Sequence, residues 1–231
     1  NRSHHRSSRQ RHEIPSFALI GYTNTGKSTL LNALTGANAQ IKNQVFAILD
    51  PTTRKIFLPQ GPPSVVTDTV GFIRKLPPQL IEAFKATLEE SAEADILIHV
   101  IDLANPAMER QIEVVEELIQ EFKWDTKPIL HVYNKLDIAS PEARFKANRY
   151  PRIFISAAKN EGLDQLKSMM AETISGLQQD VELFFTKSQE HLIFDLGRDS
   201  RILRKEQASE GTVCFAQMTP TVLSKWRDWL V

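Results

Sequence analysis

Short apolar runs alternate with stretches of helical periodicity from residue 17 onward. Alternation of this kind is typical of a mostly parallel sheet whose strands are linked by crossover helices, which indicates an α/β fold. The apolar runs predict six strands, at Phe17–Ile20, Lys55–Leu58, Val65–Thr67, Ile96–Ile101, Ile129–Tyr133 and Ile153–Ile155.

Apolar residues about four positions apart predict the helices between these strands. One series is Leu80, Phe84 and Leu88, and a second is Met108, Ile112, Val115 and Ile119. We expect the second helix to begin at Asn105-Pro106, a capping residue followed by a first-turn proline. A further helix is predicted over Leu163–Ser175, with Gly176 as its stop signal.

The rhythm of the chain changes after residue 180. An apolar stretch at Val181–Phe185 is followed by a mixed-charge segment, a predicted strand at Thr212–Gln217 and a closing helix capped by Thr219-Pro220. We therefore predict a small C-terminal α+β domain at 178–231, after a main domain at 14–177. Residues 1–13 contain four arginines, one acid at the end and no apolar residue, which is a linker or tail composition.

Composition places the chain among ordinary globular proteins. It has 231 residues, 42% of them hydrophobic and 24% charged, and Lys plus Arg (28) balances Asp plus Glu (28). A net charge of zero removes the argument for bulk attraction to nucleic acid or to a membrane, while a local basic patch stays possible. No DNA partner is expected. With one cysteine and no membrane-length apolar run, a cytoplasmic protein is the default expectation.

The first predicted strand leads directly into a phosphate-binding loop followed by a helix. Small residues let successive backbone N–H groups converge on phosphates at the helix N-terminus, where Lys27 reaches the outer phosphates and the Ser28 hydroxyl can ligate Mg²⁺. The loop residues are Gly21, Tyr22, Thr23, Asn24, Thr25, Gly26, Lys27, Ser28 and Thr29.

Two further segments suit the magnesium and the γ-phosphate. Asp68 ends an apolar strand, where it can hold Mg²⁺ through its water shell, and the Gly71 backbone can meet the γ-phosphate. A threonine in the loop-rich stretch before the second strand can contact both Mg²⁺ and the γ-phosphate and so order this stretch only in the triphosphate state. Thr53 is the first choice for this residue and Thr52 the second. The alternative for these two threonines is a simple turn at Asp50-Pro51.

Asn134-Lys135-Leu136-Asp137, at the end of a predicted strand, indicates guanine recognition. Asp137 can accept hydrogen bonds from guanine N1–H and the exocyclic amine, whereas adenine would leave this carboxylate unpaired. Asn134 would tie this loop to the phosphate loop, and the Lys135 stem would lie on the base. Backbone N–H groups would serve the guanine carbonyl oxygen from Ser156, Ala157 and Ala158. Alone, the motif at Asn134–Asp137 could be a capped turn. It follows the phosphate loop and the Asp68 segment and precedes the Ser156 segment, so all four elements occur in order along the chain.

With these motifs the sequence resembles the HflX family of translation-factor-class GTPases. The residues that carry the resemblance are GYTNTGKSTLLNALTGA at 21–37, FAILDPTTR at 46–54, TDTVGFIRKLPPQLIEAFKATLEE at 67–90, HVIDLANP at 99–106 and NKLD at 134–137. We therefore predict a three-layer P-loop G domain with a mixed six-stranded sheet whose second strand is antiparallel, and Mg²⁺-dependent hydrolysis of GTP to GDP.

The resemblance also implies a partner, the large ribosomal subunit, and a role in separating stalled or idle ribosomes under stress. It implies that 1–13 end a helical linker from an N-terminal domain that is not in this sequence. Phe72 stands where other GTPases place a water-orienting glutamine, which predicts slow turnover, and Asn24 suggests coordination of K⁺ as in related GTPases. The alternative function is a nucleotide-gated RNA- or protein-binding switch with negligible hydrolysis.

Other conspicuous residues are expected to be structural. His99 and His131 lie among apolar residues and are predicted to be hydrogen-bonded sheet histidines rather than metal ligands. Cys214 is predicted to be a small buried hydrophobe. Trp226 and Trp229 are expected to pack in a core, and the chain is expected to be a monomer.

Overall fold

A computed structural model of the protein describes residues 14–36, 53–59, 61, 63–69 and 94–231. Contacts divide these residues into two compact units, of which the larger is Ser16–Ala171 and the smaller contains Glu172–Val231. Each unit has its own sheet. Within the described residues, no helix combines the length and the apolar character needed to cross a membrane.

A mixed six-stranded sheet forms the centre of the larger unit. Its strands are β1 (Ser16–Ile20), β2 (Thr53–Ile56), β3 (Ser64–Asp68), β4 (Ile96–Asp102), β5 (Ile129–Asn134) and β6 (Arg152–Phe154), in the order β2-β3-β1-β4-β5-β6. Only β2 runs antiparallel to its neighbour, β3, among the pairs of this sheet. The predicted α/β fold with an antiparallel second strand is confirmed.

The position of β1 decides where a ligand can bind. It lies between β3 and β4 and is parallel to both. The strand order therefore reverses at β1, with β3 on one side of it and β4 on the other. Such a switch point opens a crevice beyond the carboxyl ends of the strands. The residues after β1 therefore lie at the place where an open α/β sheet binds its ligand.

Among the described residues up to Leu177 there are four helices: α1 (Lys27–Thr35), α2 (Met108–Glu121), α3 (Ala143–Lys146) and α4 (Leu163–Leu177). The apolar stripe predicted for α2 is buried, at Met108, Ile112, Val115 and Ile119. It packs on β1 and β4, whose central residues are fully buried. The helix predicted from Leu80, Phe84 and Leu88 lies outside the described residues.

The predicted start of α2 and the predicted stop of α4 were wrong by two residues or more. The Ala107 N–H donates to Asn105 Oδ1 (2.9 Å), so Asn105 and Pro106 form a turn, after which the helix begins at Met108. Gly176 does not adopt a positive φ and stays helical, so α4 continues to Leu177. The boundary between the two compact units falls inside α4, after Ala171.

A three-stranded antiparallel sheet forms the smaller unit, with β7 (Gln179–Thr186), β8 (Arg201–Ala208) and β9 (Gly211–Met218) in the order β7-β9-β8. Helices α5 (Leu192–Asp199) and α6 (Pro220–Trp226) and short 3₁₀ helices at Lys187–Gln189 and Arg227–Trp229 complete it. Its core contains Leu183, Phe185, Leu196, Cys214, Ala216 and Trp226, all at most 2% exposed.

Two histidines occupy neighbouring positions on β4 and β5, with ring centroids 5.7 Å apart. The Nδ1 atom of His131 lies 3.3 Å from the Pro151 carbonyl. His99 is 1% exposed, and its Nδ1 has no hydrogen-bond partner among the described residues, so the prediction of a hydrogen-bonded histidine is wrong for this atom. Burial lowers the pKa of His99 to about 3, helped by the charges of His131, Arg149 and Lys27.

Candidate nucleotide-binding site

The loop after β1 owes its shape to residues with positive φ. Gly21 has φ 152°, Asn24 61° and Gly26 94°. A Cβ atom at Gly26 would lie 2.5 Å from the side-chain nitrogen of Asn134, so only glycine fits there. Helix α1 begins at the next residue, Lys27, and its first N–H groups face the loop. The loop and the helix N-terminus together form an anion-binding concavity.

Lys27 lies across this loop and is 7% exposed. Its ammonium group donates to the carbonyl oxygens of Gly21 (3.1 Å) and Tyr22 (3.0 Å). Burial lowers the pKa of Lys27 to about 8, and the negative charge of Asp68 partly opposes this shift. The ammonium group is therefore charged at neutral pH and becomes neutral as the pH rises above 8.

A hydroxyl and a carboxylate meet beside Lys27. The Ser28 hydroxyl donates to Asp68 Oδ2 at 2.6 Å, although the two residues are 40 positions apart. The other carboxylate oxygen, Asp68 Oδ1, is buried and has no hydrogen-bond partner among the described residues. An unpartnered buried carboxylate oxygen next to a hydroxyl fits a hard divalent cation.

Among the described residues, the candidate cation site consists of one hydroxyl and one carboxylate. In the described part of the chain, no group of three or more His, Cys, Asp or Glu side chains could hold a metal. One hydroxyl and one carboxylate suit Mg²⁺, which binds through one or two protein groups plus phosphate oxygens and water.

The Asn134 side chain joins two loops. Its amide nitrogen donates to the Thr25 carbonyl in the phosphate loop (2.9 Å), and its amide oxygen accepts from the Ala157 N–H after β6 (3.0 Å). Asn134 is 2% exposed, so both hydrogen bonds are shielded from water. The predicted link between the guanine motif and the phosphate loop is present in the structure.

Asp137 and Ser156 also meet. The Ser156 hydroxyl donates to Asp137 Oδ1 at 2.6 Å, which leaves the second carboxylate oxygen for a ligand. The Ser156 N–H donates to the Glu161 carbonyl (3.1 Å) and the Ala157 N–H to Asn134. Of the three N–H groups predicted to face a guanine carbonyl, two are thus engaged within the protein, and Ala158 is the remaining donor.

The family comparison agrees with this geometry. Residues 16–135 match the family described as 50S ribosome-binding GTPase. This chain belongs to the 50S ribosome-binding GTPase family. Relatives named GTPase HflX confirm the predicted resemblance to the HflX family.

Two curated relatives named GTPase HflX show the extent of the likeness. The protein of Caldanaerobacter subterraneus subsp. tengcongensis is 39% identical over an alignment that covers 100% of this chain and 53% of the relative. The protein of Lacrimispora saccharolytica is 40% identical, with 96% of this chain and 53% of the relative covered. The chain therefore spans about half the length of these relatives.

A solved structure extends the comparison to a GTPase with its ligand. It is a GTP-binding protein from the archaeon Sulfolobus solfataricus in complex with GDP, 30% identical to this chain with a TM-score of 0.59. The match covers 75% of this chain and 56% of that one. The likeness supports the G-domain fold of the larger unit.

The loops of this GTPase domain enclose a cleft of about 620 Å³. Its lining brings predicted residues from the phosphate loop and the guanine motif together. The lining residues are Thr23, Asn24, Gly26, Lys27, Ser28, Thr29, Thr69 and Lys135.

Thr53 is not part of this lining. It begins β2, is 4% exposed, and its hydroxyl lies 3.0 Å from the Thr67 hydroxyl on the paired strand. To reach a γ-phosphate, Thr53 would have to leave that contact. Thr52 and Gly71 lie outside the described residues, so the roles of all three remain predictions.

Asp102 is a site residue that the motif analysis missed. It ends β4 opposite Asn134 in the strand register, and its Oδ2 accepts from the Lys135 ammonium group at 2.7 Å. Its Oδ1 accepts from the Ala104 N–H (3.1 Å). Lys135 itself has a left-handed φ of 65°. This contact depends on the register of β4 beside β5, which the sequence motifs do not report.

Proposed function

We propose that this chain binds GTP at the described cleft, hydrolyses it to GDP and phosphate, and does so as part of a cytoplasmic factor that acts on the large ribosomal subunit. The observation that carries the proposal is the Asn134 amide, which holds the phosphate loop and the guanine loop in contact. The family name, 50S ribosome-binding GTPase, supports the partner.

Binding would use both ends of the cleft. Backbone N–H groups of residues 23–28 and the Lys27 ammonium group would hold the phosphates. Asp137, oriented by the Ser156 hydroxyl, would accept from guanine N1–H and its amine, and the Ala158 N–H would donate to its carbonyl oxygen. The Lys135 stem, held by Asp102, would lie against the base.

Ser28 and Asp68 would hold Mg²⁺, Ser28 directly and Asp68 through water. When bound, the cation would neutralise charge on the β- and γ-phosphate oxygens. The protein would position the cation, because the Ser28 hydroxyl and the Asp68 carboxylate already lie 2.6 Å apart. A threonine would complete this set, a role for which Thr53 and Thr52 are the candidates.

Hydrolysis would proceed by in-line attack of water on the γ-phosphate, with Lys27 stabilising the developing charge. Among the described residues of the cleft, none is placed as a general base, so slow unassisted turnover is expected. Asn24 lies beside Lys27 and Ser28 in the lining. We include K⁺ coordination by Asn24 in the proposal; the alternative is that Asn24 only accommodates the φ of 61°.

The test is GTP turnover by the chain and by a full-length relative, with and without large ribosomal subunits, in matched KCl and NaCl. The proposal predicts slow hydrolysis alone, stimulation of about tenfold or more by the subunits in the full-length protein, and no hydrolysis in Lys27→Ala. Binding of GTP without any stimulation would instead support a nucleotide-gated RNA- or protein-binding switch.

Asn24→Ala separates the K⁺ question from the rest. If K⁺ takes part, KCl raises turnover several-fold over NaCl in the parent chain and this difference disappears in the variant, while GDP affinity changes little. Equal rates in the two salts for the parent chain would remove K⁺ from the mechanism.

A further inference from the structure

An exposed group of aromatic and cationic side chains follows the guanine motif along the chain. It is called the basic–aromatic patch below and comprises Arg144, Phe145 and Lys146 on α3, Tyr150 between α3 and β6, and Arg152 and Phe154 on β6. The cleft uses none of these residues. They lie entirely within the larger unit, at the edge strand of its sheet.

Two rings of this patch are unusually open to solvent, whereas Phe154 is half-buried. Phe145 is 89% exposed and Tyr150 68% exposed. Isolated exposed apolar residues are common, but two exposed rings five positions apart beside a sheet edge need an explanation. Burial elsewhere does not account for Phe145, because α3 contributes no buried residue.

The two arginines of the patch lie close to the Tyr150 and Phe154 rings. The Arg152 guanidinium lies 4.3 Å from the Tyr150 ring centroid and 5.4 Å from that of Phe154. The Arg144 guanidinium lies 5.8 Å from the Phe154 centroid. These contacts hold the two guanidinium groups against the Tyr150 and Phe154 rings before any partner binds.

The charge of this surface contrasts with that of the whole chain. Between Ala139 and Phe154 the sequence has four cations and one acid, Glu142, in a chain whose net charge is zero. Arg149 is committed elsewhere, because it pairs with Glu109 (2.8 Å) and Glu116 (2.7 Å). Arg144, Lys146 and Arg152 remain on the patch and give it a local positive charge.

We propose that the basic–aromatic patch binds an unpaired stretch of RNA. Exposed rings offer faces on which unpaired bases stack, and the neighbouring cations match the phosphates, a combination used for single-stranded nucleic acid. A base-paired helix does not present its base faces to such a surface. The inference deepens the proposed function and rests on it for the choice of RNA as the partner.

The test measures binding of a fluorescently labelled 12-nucleotide adenosine RNA to the whole chain by anisotropy, at several KCl concentrations. Phe145→Ala removes one stacking ring without touching a buried residue, and we expect about 5-fold weaker binding or more. Replacing Arg144 and Lys146 together with Gln should reduce the slope of log affinity against log salt by about one to two.

Matched controls come from the smaller unit. Phe194→Ala removes a ring that is 75% exposed, and Arg198→Gln removes an exposed cation; neither should change RNA affinity. The basic residues of 1–13 are present in every variant, so their contribution cancels. The proposal is overturned if no binding is measurable, or if Phe145→Ala and Phe194→Ala bind RNA as the parent chain does.

Two further measurements separate this inference from the proposed function. GTP turnover of Phe145→Ala without ribosomes should equal that of the parent chain, so loss of RNA binding alone leaves the nucleotide chemistry intact. If Phe145→Ala reduces binding to ribosomal subunits but not to RNA, the patch contacts a protein, which overturns the RNA proposal and leaves the GTPase proposal standing.

Discussion

The cleft of the larger unit and the core of the smaller unit depend on different kinds of interaction. In the larger unit the residues of the cleft are fixed by single hydrogen bonds between distant polar groups, such as Asn134 to Thr25 and Ser28 to Asp68. In the smaller unit a contiguous apolar core around Phe185 and Trp226 joins sheet and helices. Loss of one hydrogen-bonding atom is therefore expected to impair nucleotide binding in the cleft. Loss of side-chain volume is expected to lower the stability of the smaller unit.

Trp226→Ala should have the largest effect, a loss of stability in the smaller unit. Trp226 is 2% exposed and its ring lies 6.0 Å from that of Phe185 in edge-to-face geometry. Loss of a buried aromatic side chain costs about 3–5 kcal/mol, which a unit of this size cannot easily lose.

The check is urea unfolding followed by hydrogen exchange in residues 179–231, with GDP affinity measured beside it. Because every described residue of the cleft lies in the larger unit, GDP affinity should be unchanged. Trp229→Phe, at the half-buried neighbouring ring, is the control and should cost much less. A parallel loss of GDP binding in Trp226→Ala would show that the two units are not independent.

Asp137→Asn should have the next largest effect, a loss of GDP affinity at the cleft of the larger unit. The amide keeps the acceptor for the Ser156 hydroxyl but offers guanine a donor where an acceptor is needed. We expect GDP affinity to fall about 100-fold and xanthosine diphosphate, which has an extra carbonyl, to be preferred.

Competition between the two nucleotides measures this exchange directly, with unfolding curves to show that stability is retained. Ser156→Ala serves as the companion variant, since it leaves the carboxylate but removes its orienting hydroxyl, and should weaken GDP binding without changing the preference. An unaltered preference for GDP in Asp137→Asn would remove Asp137 from base recognition.

Acid should weaken the larger unit through His99. Its pKa of about 3 in the folded chain lies below the ordinary 6.5, so the unfolded chain takes up a proton that the folded chain does not. The stabilising contribution is complete above pH 6.5 and is lost as the pH falls toward 3, by about 1.4 kcal/mol between pH 7.5 and 5.5.

Unfolding at a series of pH values, followed by the fluorescence of Trp124 in the larger unit, tests this linkage. His99→Leu should flatten the dependence, apart from the part due to His131, whose pKa burial also lowers. The linkage to His99 is wrong if His99→Leu loses stability with acid as steeply as the parent chain.

Asp102→Asn should produce the smallest of these effects. It removes the charge that holds Lys135 but keeps an acceptor for the Ala104 N–H, and the partly exposed pair is screened by solvent. We expect GDP to dissociate about 5-fold faster, with unchanged guanine preference.

A double-mutant cycle with Lys135→Ala decides whether Asp102 acts through this lysine. If it does, adding Asp102→Asn to Lys135→Ala changes the dissociation rate no further. Additive effects would show that Asp102 has a separate structural role.

The difference between the units also explains what could be predicted from the sequence. The loops of the cleft are specified by short motifs in which residue type and spacing both matter, so the meeting of Asn134 with the phosphate loop could be anticipated. The Asp102–Lys135 pair could not, because it depends on the register in which β4 lies beside β5. No local pattern reports such a cross-strand contact.

In the smaller unit the pattern of apolar residues was a weaker guide. Strand β9 alternates between buried and half-buried positions and was predicted nearly to its ends. Strand β8 lies at the sheet edge with only Ile202 partly buried, and α5 carries its apolar residues in a short charged segment. Both were read as one mixed-charge stretch, because an exposed edge strand has no alternation to detect.

The Asn134 amide imposes a polarity on the joint between the two loops. One end of the group can only donate and the other can only accept, so the phosphate loop must present a carbonyl and the guanine loop an N–H. An aspartate would have the same shape but would set oxygen against oxygen at the Thr25 carbonyl. For anyone grafting or redesigning this site, the two loops therefore form a single part that has to be exchanged together, despite lying 109 positions apart at that contact.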